Sequence, residues 1–407
     1  MTQTMTEPAP APAHVPPELV RDFTFQSLPG AAEDPMLAVA DALRDGPPMV
    51  YVRNLRFEGY NAWVAARYEI IREAYQNPEL FSSQSITSFS GLLDESWPFL
   101  PIETDPPEHS IWRTLLNPLF APKRMKAVEA DIKATAEKLV SAILAKGEAE
   151  FVDDFSAVFP IMIFLSLMGL PFAQAAKFLE WENGVLHSRD LDVRKRSAFA
   201  IRDYLVGAIE AKKVNPADDV ISYVLTTPVD GRAITDQEAL SVCFMLFVAG
   251  LDTVTAALGF MFKHLAENPG HQQQLRDHPE QIGEAVEEYL RAYPIVTSFR
   301  LITRDVVFHG VQLKAGERIA LSLPLAGRDG EAFANPDVVD FSREKLDHIS
   351  FAAGPHRCLG SHLARRELRV ALEEWLTRVP PFRVKPGERP ETHAQGVFGV
   401  DYLPLVW

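Results

Sequence analysis

Apolar residues recur at spacings of three and four over two long stretches, "MKAVEADIKATAEKLVSAIL" (125–144) and "PEQIGEAVEEYLRAY" (279–293). That period is the signature of an amphipathic helix with one face on a core. The same pattern dominates from about 118 to 300, so this third of the chain and more is predicted to be helical. Earlier, short strand patterns (Met49–Val52, Trp63–Ala65) alternate with a helix over Glu69–Tyr75. Between 304 and 323, "RDVVFHGVQLKAGERIALSL" reads as strands broken by turns at His309-Gly310 and Ala315-Gly316. A further helix is predicted over Gly360–Val379, and "GVDYLPLVW" closes the chain as a strand. The pattern defines a mainly α protein with a smaller β part.

One stretch breaks the amphipathic rule. Ala239–Phe262 is apolar almost all round, yet holds Gly250, Asp252, Thr253 and Thr255 near its middle. It is long enough to cross a membrane, but an aspartate at mid-bilayer is costly, which favours a buried core helix. Its start is marked by Thr235 with Glu238 three residues on, a capping-box pattern. Asp252 and Thr253 are neighbours about 100° apart around the axis, so one solvent strip does not accommodate both. Gly250 costs about 1 kcal/mol relative to alanine in a helix. Together they predict a locally widened turn carrying polar groups. A hydrogen-bonded aspartate beside a packing glycine in an ordinary core helix fits the same residues.

The first eighteen residues, "MTQTMTEPAPAPAHVPPE", are proline-rich with neither a basic cluster nor an apolar run. Residues 1–20 are therefore read as a flexible arm and 21–407 as one large domain. With 47% apolar and 23% charged residues the composition is that of a folded globular protein. A net charge of −15 argues against a general nucleic-acid binder. The two cysteines lie in unlike contexts and make no disulfide framework, which points to a reducing, cytoplasmic setting. Cys243, inside "SVCFMLFVAG", reads as inert core.

Cys358 is different. In "FAAGPHRCLG" it precedes a helix whose N-terminal N–H groups stabilise a thiolate. Gly354 and Gly360 let the backbone turn closely around a sulfur, and His356 and Arg357 add positive charge. Nucleophile, redox sensor and metal ligand all remain open on these residues. A structural zinc site lacks its CxxC partner.

The spacing Phe-x-x-Gly-x-His-Arg-Cys-Leu-Gly resembles the haem-binding signature of the cytochromes P-450, and three further motifs follow the family's order. "EYLR" supplies Glu288 and Arg291, "FSR" supplies Phe341 and Arg343, and "AGLDT" supplies Ala249–Thr253. The resemblance runs from about residue 20 to the C-terminus. It implies the cytochrome P-450 fold, a long central helix over a buried haem b, and Cys358 as the iron's thiolate ligand. It further implies that Thr253 and Asp252 manage protons for oxygen activation in a monooxygenase. His109 and Arg113 of "DPPEHSIWR", four apart on one helical face, would hold a haem propionate with Arg300 and His356. Glu288, Arg291 and Arg343 are expected to be buried together in a structural role, and Asp105 to cap its helix.

"GLDTV", "FHGVQL", "VDFSR", "LGSHLARRE", "EWLTR" and "LPLVW" are similar to the camphor-hydroxylating bacterial branch. By position the substrate pocket implied by that branch comprises Trp97, Ile102, Met245, Val248, Ala249, Val296 and Val397. Two departures stand out: Trp97 replaces the branch's donor tyrosine, and Ser298 replaces an aspartate near Arg300. The implied substrate is a camphor-sized terpenoid such as 1,8-cineole. A hydroxylase of a larger biosynthetic intermediate and a non-catalytic haem sensor are the alternatives, and Asp252 beside Thr253 speaks against the sensor. No flavin or nicotinamide module is present, so electrons are expected from a 2Fe-2S ferredoxin with a separate NADH-dependent reductase. Lys123, Arg124, Lys126, Lys345, Arg365, Arg366 and Arg113 are the candidate basic patch for that partner.

Overall fold

A computed structural model describes residues 10–56, 59–87, 89–344 and 346–407. It divides into two compact units. The larger, 84–286 with 358–389 and 402–407, is helical. Its principal helices are α1 (Glu108–Leu116), α2 (Val158–Met168), α3 (Ala175–Leu186), α4 (Leu191–Val214), α5 (Asp236–Gly250) and α6 (Asp252–Glu267). The smaller unit, 1–83 with 287–357 and 390–401, takes up α7 (Ile282–Ala292) from Glu287 on. The larger unit's last helix is α8 (Ser361–Arg378).

In the larger unit the core is aromatic. Phe151, Phe155, Phe262 and Trp375 have ring centroids 4.2–6.5 Å apart, in stacked, tilted and edge-on pairs. α5 starts on Thr235, whose side chain accepts from the Glu238 N–H while Glu238 reaches back to the Thr235 N–H. The continuous apolar stretch Asp236–Glu267 is long enough for a membrane span, but 67% of its most apolar window is buried inside the protein. The stretch read as one helix over 125–144 is two: Pro122–Ala127, then Glu129–Leu144 after a bend at Val128. The terminal strand also divides, into Phe398–Tyr402 and Pro404–Val406. The first pairs with Glu391–Ala394 and the second with Glu148–Glu150 and Arg383–Val384.

The smaller unit is built on a six-stranded sheet. With β1 (Val20–Asp22), β2 (Met49–Arg53), β3 (Ala62–Ala65), β4 (Phe81–Ser82), β5 (Thr297–Ile302) and β6 (Arg318–Ser322), the order is β1-β2-β3-β6-β5-β4. β3 is buried along its whole length, and Trp63 lies wholly inside. A hairpin of Val306–Phe308 and Val311–Leu313 turns on His309 and Gly310, both at positive φ. The residues read as a flexible arm are partly built in: Val15 is buried, Pro17–Leu19 makes a 3₁₀ turn, and Val20 opens β1.

The smaller unit also holds a buried ionic cluster. Glu288 and Arg291 are both fully buried on α7. Arg291 Nε and Nη2 donate to the Glu288 carboxylate at 2.9 and 2.6 Å, and Arg343 Nε donates to it at 3.1 Å. The remaining guanidinium protons go to carbonyls: Gly327, Pro336 and Val338 for Arg291, Ala334 for Arg343. The Asp340 N–H completes the carboxylate's set at 2.9 Å. One acid thus ties α7 to residues 334–343, the segment that leads toward the cysteine motif.

Removing one member of a buried, fully satisfied ion cluster leaves an uncompensated charge. Glu288→Ala is expected to lower unfolding stability by about 3–5 kcal/mol. Urea unfolding followed by circular dichroism checks this; a loss below about 1 kcal/mol, the scale of a surface pair, would contradict it.

Candidate active site

α5 and α6 form one apolar rod interrupted at a single residue. α5 ends at Gly250, Leu251 leaves the helix at φ −103°, ψ −67°, and α6 resumes at Asp252. The predicted widened turn therefore falls one residue after the glycine. Residues 239–245, 247 and 248 are buried, yet Ala249 and Gly250 are exposed. A Cβ placed on Gly250 would touch only Phe164, at 3.7 Å. Thr253 Oγ1 donates to the Ala249 carbonyl at 3.1 Å, so its hydroxyl hangs on the interrupted turn. Asp252 is buried, and its Oδ1 lies 3.1 Å from His187 Nε2, at the end of α3.

The wall carrying Trp97 is held from both ends. Glu103, itself buried, accepts from the Thr87 N–H and hydroxyl at 2.8 and 2.7 Å and from the Phe99 N–H at 3.0 Å. On α5, Ser241 Oγ donates to the Pro98 carbonyl at 2.9 Å and accepts from the Leu100 N–H at 2.8 Å. Between these clasps the rings of Trp97, Phe99, Phe89 and Phe244 form a chain with centroids 4.8–6.1 Å apart. Trp97 and Ile102 pack on the same core cluster as Met245 and Val248.

Cys358 is exposed and lies just before α8. Its Sγ is 4.0 Å from where a Cβ on Gly360 would stand, an ordinary van der Waals distance. Cys243 is wholly buried, and that burial pushes its thiol up to about 12. α1 presents His109, which is buried, and Arg113, whose Nε donates to Asn117 at 3.0 Å. The cap position of α1 is Pro107, without a side-chain cap bond, and Asp105 meets the helix through its carbonyl, which accepts from the His109 N–H.

In the smaller unit Arg300 is buried on β5. Its Nη1 donates to the Phe299 carbonyl at 2.7 Å, and the guanidinium lies over the Tyr75 ring at 5.3 Å. The Tyr75 hydroxyl and Ser298 share a 2.7 Å hydrogen bond, so the serine joins the arginine's surroundings. Val296 and Val397 meet in an isolated antiparallel bridge. His356 follows a tight turn at Gly354, φ +68°, where a Cβ would come within 2.2 Å of the Tyr75 carbonyl. Of the basic residues read as a partner patch, Arg124 pairs with Asp218 at 2.9 Å and Arg366 pairs with Glu129. Lys345 lies outside the described residues.

A single exposed thiol does not hold a bare metal ion, and no cluster of three or more His, Cys, Asp or Glu side chains suited to one occurs among the described residues. The donor set fits a cofactor that brings its own equatorial ligands. The exposed apolar turn at Ala249-Gly250 fits a flat apolar face.

The comparisons with known proteins agree. The cytochrome P450 family model matches residues 185–400. A probable cytochrome P450 127A1 of Sinorhizobium fredii is 38% identical over 98% of this chain and 97% of its own. A steroid C26-monooxygenase of Mycobacterium tuberculosis is 30% identical over 84% of this chain and 94% of its own. The crystal structure of cytochrome P450 CYP101C1 superposes with a TM-score of 0.88 at 33% identity, covering 98% of this chain and 99% of that one. The chain belongs to the cytochrome P450 family, as a haem-thiolate monooxygenase whose cofactor is haem b.

His187 and Glu103 escape a reading of the sequence. A lone histidine at a helix end and a glutamate near prolines carry no spacing signal; His187 meets a partner 65 positions away, and Glu103 pins an irregular loop with no period to mark it. The two thiols should separate chemically. Iodoacetamide should leave Cys243 unlabelled in the native protein and label it only after denaturation, by peptide mass mapping. Labelling of native Cys243 would contradict its burial.

Proposed function

We propose that the protein hydroxylates a compact, apolar, terpenoid-sized molecule, and that Cys358 would hold the haem through its thiolate. His109, Arg113, Arg300 and His356 would hold the propionates by charge-assisted hydrogen bonds. When bound, the haem supplies the activation of dioxygen. The chain's own residues do the rest. Thr253 holds a proton donor at the interrupted turn, and Asp252 carries protons to it. Glu288, Arg291 and Arg343 fix the segment before the cysteine.

The observation that carries this reading is the break at Leu251. A rod this apolar exposes Ala249 and Gly250 and places a hydroxyl and a carboxylate directly after them. Trp97, Ile102, Met245, Val248, Ala249, Val296 and Val397 are proposed as the substrate's surroundings. The clasped ring chain from Trp97 to Phe244 supports a small, rigid substrate, because a wall pinned at Glu103 and Ser241 adapts poorly to a large one. The Trp97 Nε1–H offers one donor for an ether or ketone oxygen, which makes 1,8-cineole or a related monoterpenoid the proposed class. The chain holds no nicotinamide or flavin motif, so electrons are proposed to come from a 2Fe-2S ferredoxin and its NADH-dependent reductase. The burial of the apolar rod supports a core helix in place of a membrane span, and a cytoplasmic setting is proposed from the unpaired cysteines.

Titrating the haem-loaded protein with camphor, 1,8-cineole, a steroid and a macrolide tests the substrate class. A Soret shift to high spin with a compact terpenoid, and its hydroxylation with ferredoxin, reductase and NADH, is the expected result. A shift with the steroid or macrolide alone would favour a larger intermediate, and binding without product would favour a sensor. In the same assay Thr253→Ala should lose product formation on the order of 100-fold while NADH oxidation continues. Unchanged product formation would remove Thr253 from the reaction.

A further inference from the structure

Within the smaller unit, the hairpin of Glu391–Ala394 and Phe398–Tyr402 carries Val397 in the connection between its strands. One support comes from the chain just before β5. The Phe398 N–H donates to the Ile295 carbonyl at 2.7 Å, and the Gly396 carbonyl accepts from the Thr297 N–H at 3.0 Å. These bonds bracket the pairing of Val397 with Val296, so the two valines share one backbone frame.

The other support comes from a segment near the N-terminus. Phe25–Ser27 is a single 3₁₀ turn closed by Thr24, whose hydroxyl accepts from the Ser27 N–H at 3.1 Å. In return the Thr24 N–H donates to the Ser27 hydroxyl at 3.0 Å. Neighbouring side chains of this turn meet both strands of the hairpin. Gln26 Oε1 accepts from the Ala394 N–H at 2.7 Å. The buried Phe25 ring packs edge-on against Phe398, with centroids 5.6 Å apart. Farther along, the Thr392 hydroxyl shares its proton between the Ala31 and Ala32 carbonyls, at 3.1 and 2.9 Å.

The hairpin is braced internally as well. His393 Nδ1 and Asp401 Oδ1, on its two strands, are 2.7 Å apart, and a Cβ on Gly399 would lie 2.4 Å from the His393 ring. A braced hairpin passes a shift at one end to the other, and three residues of extended chain put Ala394 at most about 10 Å from Val397. Gln26 is half-buried, whereas Phe25 and Thr392 are buried, so a change at Gln26 removes a bond with little loss of core packing.

We propose that Gln26 is a specificity-determining positioning residue, whose amide oxygen fixes the hairpin and with it the place of Val397 beside the substrate. This rests on the reading of Val296 and Val397 as part of the substrate's surroundings. Gln26 touches no reacting atom. It acts on which bound orientations fit: a compact apolar substrate has no charge to orient it, so the wall's position sorts the carbon presented for hydroxylation.

The test uses the haem-loaded full chain and three variants. Gln26→Met keeps the side chain's length and loses the acceptor, Gln26→Glu keeps an acceptor, and Val397→Ala reports the wall itself. Soret titration with 1,8-cineole and camphor gives dissociation constants. Turnover with ferredoxin, reductase and NADH gives the ratio of hydroxylated isomers. Titration with 4-phenylimidazole, whose nitrogen ligates the iron, reports the pocket whatever the natural substrate. Gln26→Met should weaken terpenoid binding about tenfold and change the isomer ratio, with an unaltered reduced carbon monoxide band. Gln26→Glu should restore both values.

Wild-type affinity and isomer ratio in Gln26→Met overturn the proposal even where its melting temperature falls, because a merely structural role does that. A Gln26→Glu no better than Gln26→Met also overturns it. An altered Val397→Ala beside a wild-type Gln26→Met leaves Val397 in the pocket and removes Gln26 from its control. A Val397→Ala that matches the wild type with every ligand removes Val397 from the pocket and takes the proposal with it. Where neither terpenoid binds the wild type, the substrate class fails and 4-phenylimidazole decides. A change of about threefold or more in Gln26→Met and Val397→Ala, reversed in Gln26→Glu, supports the role of Gln26, and no change overturns it.

Discussion

One buried carboxylate organises the segment that leads to the cysteine. Glu288 has no access to water and takes hydrogen bonds from two guanidinium groups and a backbone N–H. Burying such charges is expensive, and the cluster is tolerable because every strong donor finds an acceptor. Arg291 spends its remaining protons on the Gly327, Pro336 and Val338 carbonyls, so a stretch with little regular structure acquires fixed anchor points. The tight turn at Gly354, packed against the Tyr75 carbonyl, carries that order up to the cysteine motif. A thiolate ligand needs a fixed backbone more than it needs a base beside it, and this is a means of supplying one.

The opposite problem is solved in the apolar rod. A helix without a polar face has no reason to stop at its middle, yet it breaks at Leu251 and places Asp252 and Thr253 in the first turn of α6. The break frees the Ala249 carbonyl for the Thr253 hydroxyl, and His187 meets the Asp252 carboxylate from α3. The hydroxyl is held by a backbone carbonyl of the rod and the carboxylate by a histidine of the neighbouring helix.

Much of this was legible in the chain. The periodicities placed Met49–Arg53, Tyr68–Gln76 and Ser361–Arg378 to within a residue or two, because local patterns define local structure. The family motif marked the cysteine, and the conflict among Gly250, Asp252 and Thr253 marked the break. Contacts between distant residues stayed hidden. His187 and Asp252 are 65 positions apart, and Ser241 reaches the Trp97 loop from 143 positions away. No spacing rule links such pairs. The acidic neighbours of two basic residues were equally hidden: Asp218 stands beside Arg124 and Glu129 beside Arg366, 94 and 237 positions away. The bend at Val128 and the division of the terminal strand at Leu403 likewise answer to packing, not to local pattern.

Every role assigned around the haem depends on Cys358 as the sulfur that holds the iron. The reduced carbon monoxide difference spectrum tests this most directly, recorded for the wild type and for Cys358→His, both loaded with haem. The wild type should give the band that defines the family, and Cys358→His should bind haem but lose that band for one typical of histidine ligation. An unchanged band in Cys358→His, or its absence from folded, haem-loaded wild type, would contradict the assignment.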